Sequence, residues 1–267
     1  NPTMIIDILQ ENNKVPSDPH GKIKVQKSLI FIDEVHGIGK NVATALLSAM
    51  DDARTTTIDG VNYDFNSVIF ILATTDPGKL SEAFNSRPDK TYLRPYTLNE
   101  VAGIVWLHGK EFLSKVELSK EVCSEIAART RCNPRRAVRT LQHGLIPHVF
   151  SISHEDSKKI DYKKLSKAFT HEVVMKWFDD QKIDQNGLGP LERNFLVYLK
   201  RNGATSQQSL QQGLGISNIQ DFNEINEYLR RLGLIAITPG GRNLTKEGRS
   251  YIEKPIDLRD RISRQTN

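Results

Sequence analysis

Two short apolar runs separated by one helical stretch fix the architecture at the start of this chain. Ser28 to Ile32 and Ser67 to Ala73 are continuously hydrophobic rather than alternating, and they are rich in β-branched and aromatic residues. That is the composition of strands buried on both faces of a parallel sheet. Between them Val42, Ala45, Leu46, Ala49 and Met50 recur at helical spacing. Strand, helix, strand is the unit of an α/β layer, and it aims both strand ends at one edge, where functional groups are expected.

Downstream the pattern becomes helical. Thr97-Leu98-Asn99-Glu100 offers a capping hydroxyl with a carboxylate three residues on, ahead of Val101, Ile104, Val105 and Leu107. Further helices are expected over 120–130, 134–150 and 161–178, and the polar, glycine-containing stretch 179–189 reads as a linker. Beyond it, Leu191, Phe195, Leu196 and Leu199 mark one helix, and two more are expected over 206–212 and 219–232. Leu234 to Ile237 and Arg242 to Thr245 flank Thr238-Pro239-Gly240-Gly241, whose proline and glycines mark a hairpin turn. Three helices and a hairpin make a winged helix-turn-helix. The expected domains are 1–96, 97–180 and 188–267.

Charge and cysteine usage narrow the setting. The formal net charge is +5, and from Leu188 onward twelve Lys/Arg face eight Asp/Glu, so most of the excess lies in the last third and points to a polyanion partner there. Cys123 and Cys132 lack the paired Cys/His spacing of a zinc site and read as small buried hydrophobes. No apolar run approaches the roughly 18 to 20 residues of a membrane span, and Asn1-Pro2-Thr3 does not open a signal peptide. A cytoplasmic protein with no membrane partner is expected.

The chemistry is concentrated at the two strand ends. After the first strand, Asp33 can help hold Mg²⁺ while Glu34 polarises the water that attacks a γ-phosphate. The second strand ends in Ala73-Thr74-Thr75-Asp76-Pro77-Gly78, and a hydroxyl there can orient that water or sense the phosphate. Each motif alone has a plainer reading, as two solvated acids or as a strand-to-turn junction. Their pairing favours the functional one, whereas His36 by itself reads as structural. None of the Gly-Lys pairs at Gly21, Gly39, Gly78 and Gly109 completes the G-x-x-x-x-G-K-[ST] phosphate cradle. Such a cradle is expected upstream of Asn1 or not at all, and the chain as it stands is expected to be hydrolytically incomplete.

Taken in order, these segments resemble the RuvB family of AAA+ motors of bacterial Holliday-junction branch migration. The resemblance is carried by Phe31-Ile32-Asp33-Glu34-Val35-His36, Ser48-Ala49-Met50-Asp51-Asp52-Ala53-Arg54 and Ala73 to Gly78. It continues through Ser86-Arg87, Tyr96 to Glu100, Arg131-Cys132-Asn133-Pro134-Arg135 and Leu188-Gly189-Pro190-Leu191-Glu192. It implies an α/β plus all-α chain: an AAA+ core with a partial parallel sheet over 1–96, a helical lid over 97–180 and a winged helix over 188–267. It further implies ATP and Mg²⁺ as ligands, bound between subunits of a homo-hexameric ring in the bacterial cytoplasm. Asp33 and Glu34 become the Walker B pair, Thr74 or Thr75 sensor 1, Arg87 a finger acting in trans, and Arg135 sensor 2. The segment 55–66 is where the family carries a hairpin for a RuvA-like junction-binding partner, here shorter and differently composed.

At the winged helix the helix over 219–232 carries Asp221, Glu224 and Glu227 ahead of Arg230 and Arg231, so it is ill suited to read bases. Arg242 at the wing, with Lys246 and Arg249 behind it, is the expected contact to DNA phosphates without sequence preference, on branched or double-stranded DNA. Arg259, Arg261 and Arg264 read as a solvated tail. The leading expectation is an ATP-dependent DNA motor. The alternatives are a non-hydrolytic AAA+-derived DNA-binding or regulatory protein and another DNA-acting AAA+ protein such as a clamp-loader subunit.

Overall fold

The computed structural model describes residues 22–24, 27–51, 54–58, 61–112, 117–153, 165 and 167–259. They divide into two units, 1–92 and 93–267. In the first, β1 (Lys22–Lys24), β2 (Ser28–Ile32), α1 (Lys40–Met50), β3 (Thr55–Ile58), β4 (Val61–Asp64), β5 (Val68–Leu72) and α2 (Glu82–Ser86) follow in order. The two apolar runs are β2 and β5, paired parallel with Ser28 opposite Val68 and Ile32 opposite Leu72. The helix between them is α1, which buries Leu46 and Ala49. β3 and β4 form an antiparallel hairpin in the segment where the family resemblance places one, and β4 also pairs parallel with β1.

One face of the β2–β5 pair is covered. Ile32, Phe70 and Leu72 pack with buried Val35, Leu46 and Phe84, while Ile30 and Phe70 meet Ala49, Tyr63, Phe65 and Val68. On the other face Leu29, Phe31, Ile69 and Ile71 are 43–61% exposed. Parallel strands are ordinarily buried on both sides, so this is a half-covered layer among the described residues.

The second unit contains α3 (Leu98–Phe112), α4 (Lys120–Arg129), α5 (Pro134–Thr140), α6 (Ile146–Ser153), α7 (His171–Asp180), α8 (Pro190–Asn202), α9 (Gln207–Leu214) and α10 (Ile219–Arg231). It ends in β6 (Ile235–Thr238), β7 (Gly241–Leu244) and α11 (Lys246–Glu253). The expected cap of α3 forms: Glu100 N donates to Thr97 Oγ1 at 3.2 Å and Thr97 N donates to Glu100 Oε2 at 2.9 Å. Arg94 grips the same carboxylate, and together these partners hold Glu100 down to a pKa of about 2.

Three expectations are corrected here. The helix foreseen over 134–150 runs to Ser153 but contains a π turn at Leu141–Leu145. The helix foreseen over 161–178 is interrupted: Leu165, Lys167 and Ala168 are helical, and a separate helix begins at His171, because Thr170 is extended and its side chain accepts the Val173 N–H at 3.2 Å. Residues 154–164 and 166 lie outside the described residues. The stretch 179–189 is no free linker: Asn186 and Leu188 have no exposed surface. Asn186 donates to Tyr251 Oη and Ile256 O, while its carbonyl accepts from Tyr228 Oη and its side-chain oxygen from Leu258 N.

That junction fuses the lid and winged helix into one core, which runs from Val101 and Leu141 to Phe222 and Tyr251. Buried charge reinforces it. Arg131 and Cys132 take left-handed backbone conformations, φ 63° and 52°. Arg131 Nε donates to Gly187 O at 2.9 Å, its Nη2 pairs with Glu192, and its guanidinium lies 4.8 Å from the centre of the Tyr228 ring. Glu192 also accepts the Gly189 N–H at 2.9 Å, capping α8. Arg259, foreseen as solvated, instead binds Glu125, which also pairs with Arg129; Arg261 and Arg264 lie outside the described residues. Cys123 and Cys132 are buried free thiols, pushed by burial up to about 11 and so protonated at neutral pH.

Candidate nucleotide and polynucleotide sites

The parallel pairing of β2 and β5 sets Asp33-Glu34 beside Thr74-Thr75. Ala73 N donates to Ile32 O and Val35 N donates to Ala73 O, both at 2.9 Å, so the two strand ends stay zipped past the sheet. The chain then turns sharply at Glu34, φ 50° and ψ 47°, with its N–H bonded to Asp33 Oδ1 at 2.9 Å. A non-glycine residue in this region is held by its surroundings, and such outliers cluster at functional sites.

The turn swings the Glu34 carboxylate onto Thr75. Thr75 N donates to Oε2 at 3.2 Å, and Thr75 Oγ1 lies 3.0 and 2.9 Å from the two carboxylate oxygens. His36 completes the cluster, its Nδ1 2.8 Å from Thr74 Oγ1 and 3.2 Å from Glu34 Oε2. The Thr75 backbone N–H, then the Thr75 hydroxyl, and after them the nearby His36 hold the Glu34 pKa below its ordinary value, against a small opposing effect of desolvation. Glu34 is therefore a fixed anion at neutral pH with lone pairs left to accept from water. Asp33 is exposed beside it.

The structure brings four of the expected residues together, Asp33, Glu34, Thr74 and Thr75, and sets His36 beside them. His36, expected to be structural, hydrogen-bonds Thr74, a partner 38 residues away that strand pairing brings to it. Arg87 is not part of the cluster. Its guanidinium bonds to Asp51 Oδ2 and to the Ala83 carbonyl, both at 3.3 Å. Arg135 stands exposed on the first turn of α5, in the second unit.

The wing departs from expectation. Arg242 is not a free cation at the hairpin tip: Nε donates to Asn226 Oδ1 at 3.1 Å and Nη2 to Gln207 Oε1 at 3.0 Å, with the guanidinium 5.3 Å from the centre of the Phe222 ring. Its side chain clamps the hairpin to α9 and α10. Lys246 and Arg249 are exposed on α11, a helix the sequence reading did not anticipate. On α10, Glu224 pairs with Arg136 of α5 at 3.4 Å and Glu227 with Arg230 at 2.8 Å.

A parallel pair of strands ending in Asp-Glu and Thr-Thr, in a chain that continues into a helical unit with a wing, defines an AAA+ protein. Residues 5–96 match the family described as ATPase family associated with various cellular activities (AAA), and residues 185–253 match the RuvB C-terminal winged helix domain. The two matches, with the RuvB relatives and solved structures below, support a RuvB-type AAA+ protein.

Curated relatives named Holliday junction branch migration complex subunit RuvB include that of Prochlorococcus marinus (strain MIT 9515). It is 28% identical over 237 residues, covering 84% of this chain and 62% of the relative. That of Mycoplasma genitalium is 28% identical over 250 residues, covering 89% and 74%. The solved Thermotoga maritima RuvB Holliday junction branch migration motor superposes with a TM-score of 0.66 at 25% identity, over 96% of this chain and 76% of that one. The chain thus spans roughly three fifths to three quarters of the length of these proteins.

Proposed function

We propose that this protein couples ATP hydrolysis to movement of double-stranded DNA through branched junctions, a reading supported by its similarity to relatives named Holliday junction branch migration complex subunit RuvB. The observation that carries the reading is the Glu34 carboxylate fixed by Thr75 beside Asp33 at the ends of two parallel strands. Among the described residues no group of three or more His, Cys, Asp or Glu could cage a metal. An exposed single carboxylate fits Mg²⁺ nonetheless, since that ion is held through one or two carboxylates together with substrate phosphates and water. Asp33 would hold it, and it would neutralise charge on the phosphates.

Hydrolysis adds water to the γ-phosphorus as the bond to the ADP oxygen breaks. Glu34, kept anionic, orients that water, and Thr74 with His36 fixes the position of the neighbouring strand end. Arg87 is assigned to the nucleotide of an adjoining subunit and Arg135 to the phosphates of its own, in a homo-hexameric ring. A guanidinium suits both because it spreads fixed charge over several phosphate oxygens. Lys246 and Arg249 are the phosphate contacts to DNA, with Arg242 positioning the wing. The β3–β4 hairpin is the proposed docking point for a RuvA-like junction-binding protein. The domain limits 1–96, 97–180 and 188–267 and a place in the bacterial cytoplasm belong to the same proposal; among the described residues no helix is long and apolar enough to cross a membrane.

The test uses the full gene product. Glu34→Gln is expected to retain nucleotide binding and stop turnover, and the unaltered protein to move a four-way junction when given ATP and its junction-binding partner. Normal hydrolysis by Glu34→Gln, with no junction movement by the parent, would sink the reading.

A further inference from the structure

Nδ1 of His36 sits between two oxygens that belong to different strand ends. It lies 2.8 Å from Thr74 Oγ1 and 3.2 Å from Glu34 Oε2. The turn Val35–Gly37 that carries it is pinned by buried Val35, whose N–H donates to Ala73 O at 2.9 Å. The His36 side chain is only 20% exposed, so both contacts are partly shielded from water.

Glu34 is held as an anion, and a carboxylate without its proton can only accept. A lone pair on Nδ1 facing it at 3.2 Å would repel, so this nitrogen carries a proton. That assignment fixes the state of Thr74. A hydroxyl has one proton and two lone pairs. The Asp76 N–H, 3.1 Å from Thr74 Oγ1, fills one lone pair and the His36 Nδ1–H fills the other. The Thr74 proton then has no acceptor among the described residues and is left for a water or a phosphate oxygen. Were the ring proton on Nε2 instead, Thr74 would spend its own proton on Nδ1.

The same ring proton sorts the two oxygens of Glu34. Thr75 N and His36 Nδ1 both donate to Oε2, whereas Oε1 has only a share of the single Thr75 hydroxyl proton, at 3.0 Å. Oε1 is therefore the freer oxygen. We infer that His36 is a positioning residue for hydrolysis: its Nδ1–H turns the Thr74 hydroxyl into an outward donor and leaves Glu34 Oε1 to the attacking water. The inference rests on the hydrolysis reading above and deepens it, giving the histidine a task beyond holding the turn. His36 itself neither gains nor loses a proton.

The test is spectroscopic and kinetic, on the full gene product labelled with nitrogen-15 at histidine. At about pH 9, where free imidazole is neutral, a long-range proton–nitrogen spectrum should show His36 with its proton on Nδ1. The signal is identified by its loss in His36→Phe. That variant should lower kcat about tenfold, the scale of one hydrogen bond, with KM for ATP unchanged. His36→Asn, whose side-chain amide can place an N–H where Nδ1 stood, should restore most of the rate. Because His36 acts through Thr74, Thr74→Val should slow His36→Phe much less than it slows the parent. A ring proton on Nε2, full additivity of the two substitutions, or no recovery in His36→Asn overturns the inference. A parent that hydrolyses no ATP defeats the motor reading, and the spectrum then still decides where His36 carries its proton.

Discussion

At the scale of single residues, the Glu34 cluster makes Thr75 the residue to change. Its N–H and hydroxyl are the two largest influences holding Glu34 below its ordinary pKa. Thr75→Val removes the hydroxyl and keeps the backbone contact, so the Glu34 pKa should rise part of the way back towards the ordinary value. Carboxyl carbon resonances followed through an acid titration would show it, and an unmoved titration would contradict the geometry. In the full gene product the same change should slow hydrolysis by roughly a hundredfold, the usual lower bound for losing one positioned group in proton-transfer chemistry. Asp33, Glu34, Thr74 and Thr75 were legible in the sequence because each directly follows an apolar strand, and strand ends in a parallel layer share an edge. His36 and the inward role of Arg242 were not, since both depend on partners that pairing and packing supply. Arg242 looks like a wing-tip cation on paper and becomes a clamp only because Gln207, Asn226 and Phe222 converge on it.

At the scale of elements, the readable features were those with local causes. The α3 cap was legible because Thr97 and Glu100 lie within one turn. Its pH dependence follows from the lowered pKa of Glu100. A carboxylate depressed from 4.5 to about 2 contributes stability that is fully present above pH 4.5 and lost as pH falls towards 2. The melting-temperature advantage of the parent over Glu100→Gln should therefore shrink across that window and be constant above it. Where elements begin and end was less legible: the break at Thr170 and the start of α11 each hang on one capping hydroxyl, Thr170 accepting the Val173 N–H and Thr245 the Gly248 N–H, and apolar spacing carries no mark of either. The wing turn gives a sharper case. Gly241 has φ 113°, and an added Cβ would lie 2.2 Å from the Thr205 carbonyl oxygen. Thr205 and Arg242 exchange both backbone hydrogen bonds across that point, at 2.9 and 2.8 Å. Gly241→Ala should cost at least about 1 to 3 kcal/mol, measured by urea unfolding, and should loosen amide protection in β7.

At the scale of the whole molecule, the surprise is where the cooperative boundary falls. A polar, glycine-containing stretch over 179–189 suggests two bodies, yet Asn186 spends its backbone and side-chain groups on Tyr228, Tyr251, Ile256 and Leu258, elements of the winged helix. From the lid side, Arg131 reaches Gly187 and Glu192. Burying these charges is tolerated because each is paired and hydrogen-bonded; taking one partner away leaves the other stranded. Glu192→Ala should thus destabilise the 93–267 unit by about 3 to 5 kcal/mol, with part of the loss coming from the uncapped Gly189 N–H. Glu192→Gln, which can still accept from Gly189, should cost less. Both tryptophans, Trp106 and Trp177, lie in this unit, so fluorescence reports on its lid half. If lid and winged helix share one core, the fluorescence transition in urea and the loss of amide protection in α8 and α10 should coincide in the parent. In Glu192→Ala they should move together to lower urea. A winged helix that unfolds at a different urea concentration from Trp177 would show instead that Arg131 and Asn186 join two bodies that are stable on their own.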